Sequence, residues 1–328
     1  MPPMPVTLPL TLPPDPPALI RAAAAPCDAA TRARILAPAA PGSESVALTC
    51  SLRLGPEDRV TRRIVLEGAA ASGVTLDCAG ATLGQAEPPP PPDAFALAIR
   101  SRPLPGGGFE RPAGITVRDC RILGHVRIWG MGVNGQGAAL RASSHGLGHT
   151  ERAQAAAPTG IAILGTTITA LGHIPLYLGP GVTRVTLQGS RLDGRSRSTA
   201  LYLDAESAEN RIIDNDVETE TGRELVAIDG SARNRIEGNR LNLRGQGGVR
   251  LYRNCGEGGT VRHQTPSDNV VTGNVFRGRG LFGSAPVVVN SRGGWRLYCG
   301  EDRGYPFGSS ADDGDNGTGN VVEPNRVE

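Results

Sequence analysis

The chain has 328 residues with a formal net charge of +2, and it contains 45 glycines and 27 prolines but only 4% aromatic residues. This composition offers no bulk electrostatic basis for binding nucleic acid or an anionic membrane, and it favours a turn-rich fold with an aliphatic core. All 34 basic residues are arginines, which excludes any mechanism that needs a lysine base or a Schiff base.

The first 44 residues are rich in proline and alanine and are interpreted as an N-terminal arm and cap, with a short helix near Pro17–Ala25. Residues 45–328 are interpreted as one domain. The N-terminus lacks a charged region and has too many prolines for a signal peptide, so we expect an exported protein whose signal peptide has been removed. No apolar segment is long enough to span a membrane.

Two segments predict loops that project from a regular scaffold. The proline run within residues 86–93 cannot be a ladder strand, because proline donates no backbone hydrogen bond. Residues 130–158 are rich in glycine and serine. This second segment is expected either to be mobile or to form a wall beside a binding site.

A short apolar pattern recurs between these loops. Ile163, Leu187, Ile212 and Ile236 are separated by 24, 25 and 24 residues. A fixed period of this length in strand-like units predicts a solenoid. Leucine-rich repeats share the period but have a denser leucine pattern and a helical segment in each unit. One polar residue per repeat falls at the same turn and is expected to point inward in a hydrogen-bonded ladder. These residues are Thr166, Ser190, Asn215, Asn239, Asn274 and Asn325.

The repeat resembles the right-handed parallel β-helix proteins of the pectate-lyase-like superfamily over roughly residues 45–328. The resemblance implies an all-β, right-handed parallel β-helix with an N-terminal cap and long loop insertions. It names no activity, because the fold hosts lyases, hydrolases, epimerases, esterases and non-enzymatic adhesins. The Asp-Pro-His-Asp signature of alginate epimerases, the Gly-His-Gly and Arg-x-Lys elements of polygalacturonases and the Lys-plus-Arg pair of chondroitinase-B-like lyases are absent.

Six cysteines without C-x-x-C spacing argue against a zinc site and fit up to three disulfides in a periplasmic or secreted protein. Reduced, buried thiols in a cytosolic protein are the alternative. On the solenoid, one pair would pin the cap, a second would join neighbouring coils and a third would tie two loops that follow the same type of strand. The predicted pairs are Cys27–Cys50, Cys78–Cys120 and Cys255–Cys299.

The second strands of successive coils can be aligned on one inward-pointing apolar residue each. These residues are Leu178, Leu203, Ile228, Leu251 and Val289. Strand alternation then places both neighbours of each of these residues outward. One predicted outward column is Tyr177, Tyr202, Ala227 and Arg250. The next is Gly179, Asp204, Asp229, Tyr252 and Asn290.

Asp204 and Asp229 are expected to stack on adjacent coils, about 4.8 Å apart. Two stacked carboxylates repel, so we expect a divalent cation such as calcium between them, an arginine beside them or a retained proton. Glu206 would complete the metal site, and the arginines considered are Arg223, Arg250 and Arg253. Two solvated surface acids are the alternative.

The outward columns and the polar segment after them supply the candidate site. The catalytic candidates are Asp204, Asp229, Arg250, Tyr252, Arg253 and His263. The candidates for substrate binding are Tyr177, Tyr202, Glu206, Arg223, Glu224, Asn254, Glu257 and Arg262.

Three functions fit these residues, and each has a polysaccharide or oligosaccharide as the partner. The first is a lyase that cleaves a uronate-containing glycan by β-elimination, with Arg250, Arg253 or a cation neutralising the uronate and His263 or Tyr252 moving protons. The second is a glycoside hydrolase, since one coil spacing is close to the ~5–5.5 Å between the carboxyls of retaining enzymes. The third is a non-catalytic glycan- or surface-binding β-helix. The oligomeric state stays open.

Overall fold

A computed structural model describes residues 23–42, 44–86, 95–280, 283–292, 301–312 and 314–328. Within these ranges the chain winds through three sheets in turn, and every strand pair in the three sheets is parallel. Each circuit adds one strand to each sheet. The protein is therefore an all-β parallel β-helix, as predicted.

The strands of the three sheets are short, because each flat wall of a coil ends at a corner. The nine-stranded sheet contains Ser45–Ala47, Arg63–Glu67, Leu97–Arg100, Val126–Trp129, Leu176–Leu178, Leu201–Leu203, Val226–Asp229, Val249–Tyr252 and Val287–Val289. The eight-stranded sheet contains Leu52–Arg53, Thr75–Asp77, Thr116–Arg118, Ala162–Leu164, Thr186–Gln188, Arg211–Ile213, Arg235–Glu237 and Val270–Thr272. The ten-stranded sheet contains Arg59–Val60, Thr82–Gly84, Arg121–Leu123, Thr167–Gly172, Arg191–Ser196, Asp216–Val217, Glu220–Thr221, Arg240–Asn242, Val275–Arg277 and Arg326–Val327.

A few elements lie outside the three walls. A small antiparallel ribbon joins Arg102–Pro103 to Phe109–Glu110. The α-helices of the described residues are Ala29–Leu36, Ala138–Ser144 and His149–Ala156. None of them is long and apolar enough to cross a membrane. Short 3-10 turns occur at Ala69–Ala71, Glu257–Gly259 and Gly308–Ser310.

The first helix closes the N-terminal end of the solenoid. Asp28 caps it by accepting a hydrogen bond from the backbone N–H of Thr31 at 2.7 Å. Ile35 on this helix is fully buried in the core. The helix predicted near Pro17–Ala25 falls mostly outside the described residues, and Ala23–Ala25 are not helical. The first strand begins at Ser45, and the division of the chain at residue 44 stays a prediction.

The core is a stack of aliphatic side chains along the axis of the solenoid. Leu178, Leu203, Ile228 and Leu251 are all fully buried, which confirms the predicted register, and Val289 packs against the core while partly buried. Fully burying one such side chain stabilises a fold by roughly 1.5–3 kcal/mol. The core is therefore extended rather than spherical, in accord with the low aromatic content.

Polar ladders run beside this core at one corner of each coil. The backbone N–H of Asn215 donates to Oδ1 of Asn239 at 3.0 Å, and that of Asn239 donates to Oδ1 of Asn274 at the same distance. The series continues through Ser190 and Asn325 as predicted. A second ladder, which the sequence analysis missed, consists of Asn210, Asn234, Asn269 and Asn320.

Two of the predicted disulfides are present. Cys27–Cys50 ties the capping helix to the first coil, and Cys78–Cys120 joins neighbouring coils of the eight-stranded sheet. Cys255 is also disulfide-bonded, whereas its predicted partner Cys299 lies outside the described residues.

Candidate functional site

The two outward columns of the nine-stranded sheet have the predicted register. Tyr177 pairs with Tyr202, and their ring centroids are 5.9 Å apart. Ala227 pairs with Arg250, and Asp229 pairs with Tyr252 on the same two strands. The aromatic pair and the acidic column therefore lie side by side on one face of the solenoid.

This face is not open to solvent, which corrects the expectation of an exposed outer surface. Asp204 is 1% exposed, Asp229 is 0% exposed and Tyr177 is 2% exposed. Two segments cover them: the helical insertion at residues 130–158 and the polar segment at residues 253–264. Of the two expectations for the first insertion, a mobile loop or a wall, the wall agrees with the hydrogen bond from the N–H of Gly135 to the hydroxyl of Tyr177 at 3.1 Å, whereas a binding site beside it stays a prediction.

The charge on the two stacked aspartates is balanced by an arginine. Nη1 of Arg262 lies 2.5 Å from Oδ1 of Asp204 and 3.9 Å from Oδ2 of Asp229. The alternative of two solvated surface acids is therefore wrong. The guanidinium comes from the covering segment at residues 253–264, so the ion pair also fastens that segment to the sheet.

The remaining oxygens of both carboxylates accept hydrogen bonds. Tyr177 donates its hydroxyl proton to Asp204. Tyr202 donates to Oδ2 of Asp229 at 2.5 Å, and Asn254 donates to Asp229 from both its backbone N–H and its side-chain amide at 2.7 Å. Each carboxylate is thus buried with its hydrogen-bonding capacity used.

Burial and these neighbours change the acidity of the groups around the pair. Burial first, and then the charge of Asp229, raise the pKa of Tyr202 well above its ordinary value. The pKa of Tyr177 is raised in the same way by burial and by Asp204. Both hydroxyls therefore stay protonated at neutral pH. The carboxylates outweigh the effect of burial on Arg262, so the pKa of its guanidinium is also raised.

The three arginines considered as partners of the aspartates lie elsewhere. Arg250 donates to the backbone carbonyls of Ala285 and Pro286 on the next coil. Arg253 is 4% exposed and donates to Asp312. Arg223 donates to Glu224 at 2.7 Å and to the hydroxyl of Tyr252 at 2.8 Å. The expectation that one of these arginines neutralises Asp204 and Asp229 is therefore wrong, because each of them donates hydrogen bonds to other acceptors.

Glu206 and His263 belong to a clamp that holds the covering segments rather than to the acidic pair. Glu206 is buried and accepts from the hydroxyl of Thr150 and from the backbone N–H of His263. Burial raises the pKa of Glu206. Nε2 of His263 lies 2.8 Å from the carbonyl oxygen of Ser144. A catalytic role for His263 stays a prediction, and its ring is engaged by backbone.

A pocket of about 450 Å³ opens beside the tyrosine pair. It is lined by Asn134, Ile174, Tyr177, Tyr202, Asp204, Arg223, Asn254, Glu257, Arg262 and Arg292. Its volume is within the usual range for small-ligand sites. Seven of the fourteen candidates from the sequence line it. The other seven are not among its lining residues: Glu206, Glu224, Asp229, Arg250, Tyr252, Arg253 and His263.

Three lining residues were missed by the sequence analysis: Asn134, Ile174 and Arg292. The guanidinium of Arg292 lies 4.2 Å from the ring centroid of Tyr252. Arg292 follows the predicted column member Asn290 by two residues, and extending the alternation by one step would have found it. Asn134 and Ile174 lie in connecting segments, for which the sequence has no periodic signal.

The predicted calcium site fits this geometry poorly. Nη1 of Arg262 lies within 3.9 Å of an oxygen of each aspartate, so a positive charge is already beside both carboxylates. Glu206 is used by Thr150 and by backbone N–H groups. The described residues contain no cluster of three or more side chains suited to holding a metal ion. Calcium dependence accordingly stays an untested prediction.

Comparisons with known proteins assign no family to the chain. No family model and no curated protein matches the chain. Among solved structures, a DFA-IIIase mutant from Arthrobacter chlorophenolicus A6 is 12% identical with a TM-score of 0.27, covering 91% of this chain and 78% of its own. The Dettilon tailspike protein is 11% identical with a TM-score of 0.22, covering 86% of this chain and 60% of its own. Likenesses this weak transfer no function, so membership of the pectate-lyase-like superfamily stays a prediction.

Proposed function

We propose that the protein is an exported, carbohydrate-active β-helix whose pocket binds an acidic glycan. The observation that carries this proposal is the lining of the pocket, which includes Arg223, Arg262 and Arg292 together with tyrosine and asparagine side chains. A guanidinium matches a carboxylate in shape and charge, so a lining with three of them suits a ligand with acidic groups, although Arg262 and Arg223 also pair with Asp204 and Glu224.

The rest of the lining suits a sugar. Tyr202 is half-buried and lines the pocket, and Asn254 adds an amide whose Oδ1 is buried without a hydrogen-bond partner in the described residues. Glu257 is exposed at the rim and can accept from hydroxyl groups. Apolar ring faces combined with such polar groups are what a pyranose or furanose ring requires for stacking and hydrogen bonding.

If the bound glycan is cleaved, the pair Tyr202–Asp229 favours β-elimination. Tyr202 can take the C5 proton while it passes its own proton to Asp229, through the 2.5 Å hydrogen bond between them. The electrons of the C–H bond form the C4–C5 double bond, the C4–O bond breaks, and the proton returns through Tyr202 to the leaving oxygen. Arginines stabilise the negative charge that develops on the uronate carboxylate.

Hydrolysis by Asp204 and Asp229 receives less support from the geometry. A retaining hydrolase needs one carboxylate free to attack and one carboxylic acid that can donate a proton. Both aspartates are at most 1% exposed and are engaged by tyrosine, asparagine or arginine donors. A catalytic role for this pair would require the covering segments to move.

The binding proposal is tested by calorimetric titration with galacturonate, mannuronate and glucuronate oligosaccharides, and with neutral fructan and cellulose oligosaccharides. We expect an acidic oligosaccharide to bind, and Arg292→Gln to weaken that binding about tenfold or more, the equivalent of one charge-assisted contact. Arg277→Gln, on the ten-stranded sheet, is the matched control. Absence of binding to every acidic sugar, or unchanged affinity in folded Arg292→Gln, would refute the proposal.

Activity is tested with the same sugars by ultraviolet absorbance of unsaturated uronate products and by a reducing-sugar assay. β-Elimination predicts unsaturated products from the wild-type protein and none from Tyr202→Phe, which should still bind. Saturated reducing sugars would indicate hydrolysis instead. Binding without any turnover would leave a glycan-binding β-helix.

A further inference from the structure

A cluster of basic side chains lies beside the pocket, on the N-terminal side of the tyrosine pair. Arg127 is on strand Val126–Trp129, where it pairs in register with Tyr177. Tyr177 in turn pairs with Tyr202, so Arg127 lies two coils from Tyr202, roughly 10 Å along the solenoid axis. His173 directly precedes Ile174, a lining residue of the pocket.

Arg127 is a buried cation without an acidic partner in the described residues. It is 8% exposed, and its Nη1 donates to the carbonyl oxygen of Ile174 at 2.6 Å. Its guanidinium also lies 5.8 Å from the ring centroid of Tyr177. Burial lowers the pKa of Arg127 to about 10, and no carboxylate offsets this effect. Burying a charge without a counter-ion is costly, so the site favours an anion.

Two further basic groups converge on the same place. His173 is half-buried, with its ring 5.2 Å from that of His125. Burial lowers the pKa of His173, and the charges of Arg127 and Arg197 lower it further, so the imidazole is neutral at pH 7 and offers a hydrogen bond rather than a charge. Arg197 is exposed and takes part in no ion pair among the described residues. Its backbone N–H donates to the carbonyl oxygen of Gly172 at 3.2 Å, which places Arg197 on the next coil beside His173.

The pocket arginines differ from this cluster in their partners. Arg262 is paired with Asp204, and Arg223 is paired with Glu224. The positive charge of the pocket is therefore partly neutralised by the protein itself. The charges of Arg127 and Arg197 are not balanced by an acidic group in the described residues, and Arg127 donates to the backbone carbonyl of the pocket residue Ile174.

We propose that Arg127, His173 and Arg197 form a second anion-binding subsite, which takes another acidic group of a glycan chain whose first acidic group occupies the pocket. This inference rests on the proposed function and specifies the ligand further. The protein would bind an acidic oligosaccharide that runs along the solenoid axis toward the N-terminal coils, in preference to a single acidic sugar.

The test compares monosaccharides with oligosaccharides of the same unit. Wild-type protein is titrated with galacturonate and tetragalacturonate, mannuronate and tetramannuronate, and glucuronate and a hyaluronan tetrasaccharide. Arg197→Gln and Arg127→Gln are titrated in parallel, with Arg195→Gln as the matched control, since Arg195 is an exposed neighbour paired with Glu220. Melting temperatures verify that each variant is folded.

We expect at least one tetrasaccharide to bind more tightly than its monosaccharide. Arg197→Gln and Arg127→Gln should reduce the tetrasaccharide affinity about threefold to tenfold and leave the monosaccharide affinity unchanged. The subsite is refuted if chain length has no effect on affinity, or if both folded variants keep the tetrasaccharide affinity of the wild type. Failure of every acidic sugar to bind would instead overturn the pocket as a glycan site, and the subsite with it.

Discussion

Arg262 belongs to the covering segment at residues 253–264, and its guanidinium lies beside the buried carboxylates of Asp204 and Asp229 on the sheet. Its side chain is 4% exposed, and its Nη1 is 2.5 Å from Asp204. Its Nε is buried without a hydrogen-bond partner in the part of the chain that the structure describes. A buried ion pair adds little net stability, but removing one partner leaves an uncompensated charge. Arg262 therefore fixes the position of the covering segment more than it stabilises the fold as a whole.

Replacing Arg262 with glutamine is expected to lower the free energy of unfolding by about 3–5 kcal/mol, because it removes one partner of a buried ion pair. Urea unfolding at pH 7 measures this change. Arg240→Gln, which breaks the exposed pair with Asp216, should cost less than about 1 kcal/mol. A loss in Arg262→Gln no larger than that of the control would contradict the role assigned to this arginine.

The buried side chain of His149 is expected to make the free energy of unfolding depend on pH. Burial, followed by the charges of His263, Arg152 and Arg262, lowers its pKa to about 3 from an ordinary value of 6.5. In the unfolded chain the imidazole takes up a proton near pH 6.5, whereas in the folded chain it stays neutral. Its contribution to stability is therefore present above pH 6.5 and is lost as the pH falls toward 3.

The measurement is the free energy of unfolding at several pH values between 7 and 4 for the wild type and His149→Gln. The variant should lose less stability on acidification than the wild type, by roughly 1–3 kcal/mol at the acid end. His145→Gln, at an exposed position, is the control and should follow the wild type. Parallel curves for wild type and His149→Gln would show that the imidazole does not carry this dependence.

At the scale of strands, the sequence was sufficient to predict which side chains share a face. Period-two alternation around Leu178 and Leu203 located the column of Tyr177 and Tyr202, and the structure has that register. The ladder through Asn239 could also be predicted, because one polar residue follows the recurring apolar residue of each coil at a constant spacing. Both predictions used only the repeat, in which each coil copies the one before it.

The covering segments could not be placed in this way. Residues 130–158 and 253–264 have no counterpart in other coils, so no periodicity fixes their path. The burial of Asp204 and its pairing with Arg262 depend on contacts between residues 58 positions apart in the sequence. Strand alternation located Asp204 on the outer surface but carried no information about what lies over it.

At the scale of the whole molecule, the solenoid is a linear stack in which each coil contacts its neighbours. The stability of such a stack is approximately the sum of local terms, so its two ends can respond independently to a change. The helix Ala29–Leu36 covers the first coil, and Cys27–Cys50 attaches that helix across a sequence separation of 23 residues. The segment around the pocket lies many coils away from this cap.

The paired substitution Cys27→Ser and Cys50→Ser should therefore destabilise the N-terminal coils selectively. Loss of the cross-link costs about 3 kcal/mol in the chain-entropy description of a loop of this size. Amide hydrogen exchange should become faster in strands Ser45–Ala47 and Arg63–Glu67, while Leu201–Leu203 and Val226–Asp229 keep their protection, because the lost cross-link joins the cap to the N-terminal end of the solenoid. A uniform loss of protection from end to end would show that the coils unfold as one cooperative unit. In that case the cap would support the candidate site as well as the N-terminal end.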